Sequence, residues 1–100
     1  MNGVELVLEY YDKNKNHKVV LVNEFCDTTW IVNLESGAEN ACVRLNENNS
    51  LRTILEDINY EMYFKIEGWF YDCLVKFCED EITESGTDDM RQILEELASC

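Results

Sequence analysis

The chain contains no proline and a single histidine in 100 residues, and it sets only eight lysines and arginines against 21 acids. Each shortage closes off a class of protein. No low-complexity tract and no internal repeat marks a linker or a second domain. One hundred residues therefore read as one domain, spanning 1–100, large enough for a real core. With His17 as the sole histidine, a histidine-rich zinc site is impossible, and a Cys–His nucleophile would need that one ring carried to a thiol. The five cysteines (Cys26, Cys42, Cys73, Cys78 and Cys100) are odd in number and form no C-x-x-C pair. In a reducing compartment they read as small core residues plus a frayed terminal thiol rather than a disulfide set. The shortage of cations argues against nucleic acid or an anionic membrane as a direct ligand. No apolar run approaches the roughly 20 residues that a membrane span requires. Met1-Asn2-Gly3-Val4-Glu5 lacks the basic-then-apolar pattern of a secretory signal, so a cytoplasmic location is expected.

What is present in excess is negative charge. The formal net charge is −13, and it is uneven: residues 1–52 carry eight acids and five bases, residues 53–100 thirteen acids and three bases. An apolar share of 46% is nonetheless that of a globular protein. A field of this size opposes compaction, and a cationic protein surface is its natural counterpart.

Hydropathy patterning divides the chain into a β half (1–49) and a mainly helical half (50–100). Val4 to Tyr11 alternates, with Val4, Leu6, Leu8 and Tyr10 on one side and Glu5 and Glu9 on the other, the period of a half-buried strand. Asp12 to His17 is a polar turn, and Lys18 to Phe25 is β-branched and apolar, completing a hairpin. Thr28 to Leu34 reads as a third strand, and turn residues at Glu35 to Asn40 return the chain along Ala41 to Leu45. Ser50 caps a short helix carrying the stripe Leu51, Ile54, Leu55 and Ile58. Tyr60, Met62, Phe64 and Ile66 alternate, which predicts a last strand or an extended connector before Gly68.

Two amphipathic helices follow. Phe70, Cys73, Leu74, Phe77, Cys78 and Ile82 repeat at steps of three and four, as do Met90, Ile93, Leu94 and Leu97. Gly86 suits the left-handed residue that closes the first helix, and Thr87 is placed to cap the second, with Asp88 and Asp89 favoured by the helix dipole. A sheet with one apolar face needs a cover, and three helices supply it. The expected fold is therefore α+β, two-layered, with an antiparallel sheet of three to five strands under about three helices. Trp30, Trp69, Phe70, Tyr71 and Phe77 are the expected large packing residues. Tyr60, Tyr63 and Trp69 could anchor an interface if exposed.

No chemistry-bearing motif survives scrutiny. Asp12-x-Asn14-x-Asn16 resembles the start of an EF-hand loop, but His17 stands where glycine is needed and Asn23 where the bidentate glutamate belongs. Cys73 and Cys78 are five apart, outside common zinc spacings. There is no phosphate loop, no Gly-x-Gly-x-x-Gly and no Gly-x-Ser-x-Gly. Catalytic residues, metal ligands and cofactors are accordingly expected to be none, and an enzyme is not expected.

The candidate site is instead the acidic exterior of the last two helices: Asp72, Glu79, Asp80, Glu81, Glu84, Asp88, Asp89, Glu95 and Glu96, against Lys76 and Arg91. Helix exteriors are normally charged, but ordinary ones mix signs. In size, acidity, missing catalytic motifs and a small sheet followed by helices, the chain resembles phage-encoded anti-CRISPR and anti-restriction inhibitors. The resemblance is to a class and rests on no residue motif. It implies a CRISPR effector nuclease as partner, with its basic groove occluded by a nucleic-acid mimic, in the cytoplasm of an infected host. A different acidic binder, an immunity protein or antitoxin neutralising a basic toxin, or an adaptor subunit, meets the same electrostatic requirement. A homodimer stays open.

Overall fold

The computed structural model describes residues 3–23, 28–35, 42–45 (backbone only), 50–62, 64–86 and 88–99. The chain runs β1 (Val4–Tyr11), β2 (His17–Asn23), β3 (Thr28–Asn33), β4 (Cys42–Leu45), α1 (Ser50–Asp57), β5 (Lys65–Ile66), α2 (Gly68–Ser85) and α3 (Asp88–Ala98). The first four strands are an antiparallel meander. After α1 the chain crosses back to place β5 beside β1, giving the order β4-β3-β2-β1-β5. The result is the expected α+β architecture. One buried cluster joins Val7, Leu8, Tyr10, Val20 and Ile31 of the sheet to Ile54, Leu55, Ile58, Phe70, Leu74, Cys78, Met90 and Leu97 of the helical segments.

In β1 the simple alternation breaks. A bulge between Leu6 and Leu8 inserts Val7 as an extra residue, so that Val7, Leu8 and Tyr10 are buried while Leu6 is 45% exposed. Leu6, expected to face the core, turns to the other side of the sheet because a bulge inverts the parity of everything before it.

The stretch 60–67 is strand only at Lys65–Ile66. Asn59 stops both α1 and any long extension. Its side-chain Oδ1 accepts the Glu61 N–H at 3.1 Å, its carbonyl accepts the Met62 N–H at 3.1 Å, and its own N–H donates to the Tyr11 carbonyl at 2.8 Å. That asparagine turn folds Tyr60 back, so its hydroxyl donates to the Leu55 carbonyl at 3.2 Å. Tyr60 thus packs against the core rather than standing free, and Tyr63 lies outside the described residues.

In α2, Phe70, Leu74 and Cys78 are buried, with Phe77 and Ile82 packed beside them. Cys73, expected in the same stripe, is exposed. At 100° per residue it lies on the flank, and Tyr71 and Val75 fill the other edge of the apolar face. Gly86 ends the helix at φ 62°, its N–H donating to the Ile82 carbonyl at 2.9 Å, as expected for a left-handed closing glycine. Thr87 lies outside the described residues. In α3, Met90 and Leu97 are buried and Ile93 and Leu94 half-buried, the predicted stripe. Of the expected aromatic packers, Phe70 is buried, but Trp69 is 47% exposed and the largest fully buried side chain is Tyr10.

Candidate functional site: an acidic helical hairpin and its cleft

α2 and α3 form a helical hairpin whose apolar edges meet the sheet, and burial of those edges fixes where every carboxylate points. Asp72, Glu79, Asp80 and Glu84 on α2, and Asp88, Asp89, Glu95 and Glu96 on α3, are all exposed. Neighbours three and four apart on a helix stand about 5–6 Å from one another, so these acids form closely spaced rows. Lys76 stands four residues from both Asp72 and Asp80, inside the α2 row. Among the described residues, neither it nor Lys65 nor Arg91 takes part in an ion pair.

Glu81 is different. It is half-buried, and Arg52 Nη2 lies 2.9 Å from its Oε1. The Arg52 guanidinium also sits 5.9 Å from the centre of the Phe77 ring, and Nη1 lies 3.9 Å from Glu56. Glu81 therefore ties α1 to α2, and its charge is spent inside the molecule.

The structure also brings together groups that are distant in sequence. A cleft of about 600 Å³ runs between α3 and the end of α1. Its floor is Ile58, Tyr60, Met90 and Ile93. Asp89, Gln92 and Glu96 form one wall, Glu56, Asn59 and Glu61 the other, and Lys13 and Arg52 add positive charge. Asp89 and Glu96 fall two turns apart on one edge of α3. Glu56 and Glu61 carry no sequence signal, because helix periodicity does not report which loop faces which helix.

A second group of titratable residues lies at the β1–β2 hairpin. The Asp12 Oδ1 accepts the N–H groups of Asn14 (2.9 Å) and Asn16 (2.8 Å), closing the turn, with Lys15 in a left-handed conformation at φ 66°. The Lys18 ammonium bridges Asp12 Oδ2 and Asp57 Oδ2, each at 2.9 Å, and the Tyr10 hydroxyl donates to Asp57 Oδ2 at 2.6 Å. Burial alone would raise the Asp12 carboxyl, but the bond from Lys18 and the backbone donors of Asn16 and Asn14 hold it below the usual range. Burial likewise opposes the charge on Lys18, and the two carboxylates outweigh it and push the ammonium pKa up. Tyr10 is raised by burial first and then by its bond to Asp57. Each shift reinforces the ordinary ionisation state, so none of the three pKa values moves toward pH 7, where general acid–base catalysis would need it. The cluster pins the hairpin to α1, helped by the Asp12–Ile58 bridge and by the Lys13 N–H donating to the Asp57 carbonyl at 3.1 Å.

The EF-hand-like loop is thus a hairpin turn whose carboxylate is occupied by its own backbone and by Lys18. His17, read as a solvated turn residue, instead opens β2: its Nε2 lies 2.6 Å from Glu9 Oε2 and its ring stacks on Tyr11 at 5.0 Å. Cys78 is buried, and desolvation, opposed by Arg52, pushes its thiol pKa up. Among the described residues no group of three or more potential ligands could hold a metal ion, and no helix is long and apolar enough to cross a membrane. No known family, curated protein or solved structure matches the chain.

Proposed function

We propose that the chain is an acidic protein-binding inhibitor whose α2–α3 hairpin imitates the charge of nucleic acid and occludes the basic groove of a nuclease, a CRISPR effector being the partner class. The observation that carries this reading is the set of exposed carboxylates on both helices, Asp72, Glu79, Asp80, Glu84, Asp88, Asp89 and Glu95 among them, whereas half-buried Glu81 is held by Arg52. Proteins that grip DNA do so with lysine and arginine arrays, and their affinity comes largely from releasing the counterions of the polyanion. Carboxylate rows about 5–6 Å apart approximate a phosphate row. Held on packed helices, they incur little of the ordering cost that a flexible acidic tail incurs on binding.

Binding of the protein to a basic nuclease should then be competed by duplex DNA or guide RNA and should weaken steeply with salt. Reversal of Glu79, Asp80 and Glu84 to lysine should abolish inhibition while leaving the circular dichroism spectrum intact. Undiminished inhibition by that variant would remove the hairpin from the interface.

The cleft favours a second reading. Its apolar floor beneath Asp89, Glu96 and Glu61 is unnecessary for phosphate mimicry. It suits a single lysine or arginine side chain from a basic enzyme, as an immunity protein, antitoxin or adaptor would require. Under this reading, co-expression rescues cells from one cognate toxin and leaves CRISPR interference untouched.

A further inference from the structure

The cleft between α3 and the end of α1 is shaped for more than charge. Its floor is apolar, with Ile58 and Met90 fully buried and Ile93 half-buried. Its carboxylates stand apart rather than converging. Asp89 and Glu96 are seven residues apart on α3, about 10 Å along the helix axis, with Met90 and Ile93 between them. Glu56 and Glu61 line the opposite wall. Among the described residues no three carboxylates, thiols or imidazoles are placed to hold a metal ion, so the cleft is not built around a compact cation.

We infer that this cleft binds a linear aliphatic polyamine, a trication of the spermidine type, one per chain. An extended chain with an ammonium at each end and one within it meets Asp89 and Glu96 together, which a point charge cannot do. Its methylenes lie on the apolar floor and leave water there, as the stems of lysine and arginine do on apolar surfaces. The cleft volume of about 600 Å³ is that of a small-molecule site. Binding there involves none of Glu79, Asp80 and Glu84, so it is separate from mimicry of nucleic acid by the outer acids of α2.

Charge sets the valence of the occupant. The lining holds four carboxylates and two cations, Lys13 and Arg52. Arg52 is engaged by Glu81, which does not line the cleft, so five carboxylates stand against two cations and the local net charge is −3. Glu61 and Asp89, on opposite walls, enter no ion pair among the described residues. A triamine carries the matching charge at neutral pH, whereas a diamine or a single arginine side chain leaves part of it unmet.

The test is isothermal titration calorimetry on the full chain at about 0.15 M salt, where a Debye length of about 8 Å screens the more distant acids. Spermidine should bind at one per chain. Putrescine, a diamine, and hexaamminecobalt(III), which has the charge of spermidine but no chain, should each bind at least about tenfold more weakly. Gln92→Lys sets an ammonium midway along the α3 wall and should weaken spermidine at least about tenfold. Asp89→Asn and Glu96→Gln, at the two ends, should each weaken it about threefold or more. All three side chains are exposed, so these variants keep the fold. Neutralising the outer acids of α2 together, by Glu79→Gln, Asp80→Asn and Glu84→Gln, should change spermidine binding by less than about twofold. The absence of saturable spermidine binding overturns the inference. So does equal affinity for hexaamminecobalt(III), the mark of a diffuse ion atmosphere, or binding that is lost with the α2 variant and kept by Gln92→Lys. A cleft that takes up capped arginine in preference to spermidine overturns it in favour of a partner's side chain.

Discussion

The β1–β2 hairpin and the α2–α3 hairpin both carry carboxylates, and they use them in opposite ways. At the first, Asp12 is 2% exposed and meets Lys18 and two backbone donors, while Asp57 meets the same lysine and Tyr10. Both of these carboxylates are answered within the chain. At the second, eight carboxylates face solvent, and the nearby cations Lys76 and Arg91 pair with none of them among the described residues. Charge compensated internally holds the fold together; charge left outward repels itself, and salt or a cationic partner would relieve it. The two hairpins should therefore respond differently to the same perturbation.

The largest difference is expected from removing a lysine. Lys18→Met leaves Asp12 buried without its counter-ion and should cost about 3 kcal/mol, at the lower end for a broken buried pair because Lys18 keeps partial exposure. Lys76→Met, on the acidic exterior, should stay within about 0.5 kcal/mol. Urea unfolding of both variants measures the contrast, and equal losses would erase it.

A change of pH should act next in size, through Asp12, Lys18 and Tyr10 of the first hairpin, with the raised Cys78 thiol of α2 adding to the alkaline limb. The Asp12 carboxyl lies lower in the folded than in the unfolded chain, so its stabilisation is complete above the ordinary carboxylate pKa of about 3.9 and is lost as pH falls below it. Lys18 and Tyr10 are raised on folding, so their contribution is complete below about pH 10 and is lost as pH climbs beyond. Urea midpoints across pH should fall at both ends, and Lys18→Met should flatten both limbs.

The smallest effect is the most diagnostic. Reversing Glu79, Asp80 and Glu84 to lysine should leave stability unchanged or raise it by a few tenths of a kcal/mol at low salt, since it relieves like-charge pairs on exposed helix faces. Salt should likewise stabilise the wild type more than the variant in thermal melts. A marked loss of stability would mean that the outward acids are structural after all.

Much of this contrast was legible in one dimension. The strand from Val4 to Tyr11, the stripe through Phe70, Leu74 and Cys78, the closing role of Gly86 and the outward position of the α2 and α3 acids other than Glu81 all follow from local geometry, which repeats at fixed periods. The misreadings share a cause. Alternation places Leu6 in the core because a bulge leaves no trace in such a pattern, and helical spacing places Cys73 there because the edge of a helical face depends on what packs against it. Trp69, expected among the core aromatics, stands at an exposed helix start with its Nε1 donating to Glu5 at 3.2 Å. Asn59 carries turn chemistry that ends the strand predicted through Tyr60 and Met62.

Period and composition alone established an α+β chain of small size, its helical layer strongly anionic, because side-chain direction within one element is set by backbone geometry. Which charges find a partner within the chain was decided only by folding. Arg52 reaches Glu81 across two helices, Lys18 gathers Asp12 and Asp57 from 45 residues apart, and the cleft joins Glu56 and Glu61 to Asp89 and Glu96. Pairing between elements depends on where the core places them, and no local period encodes that.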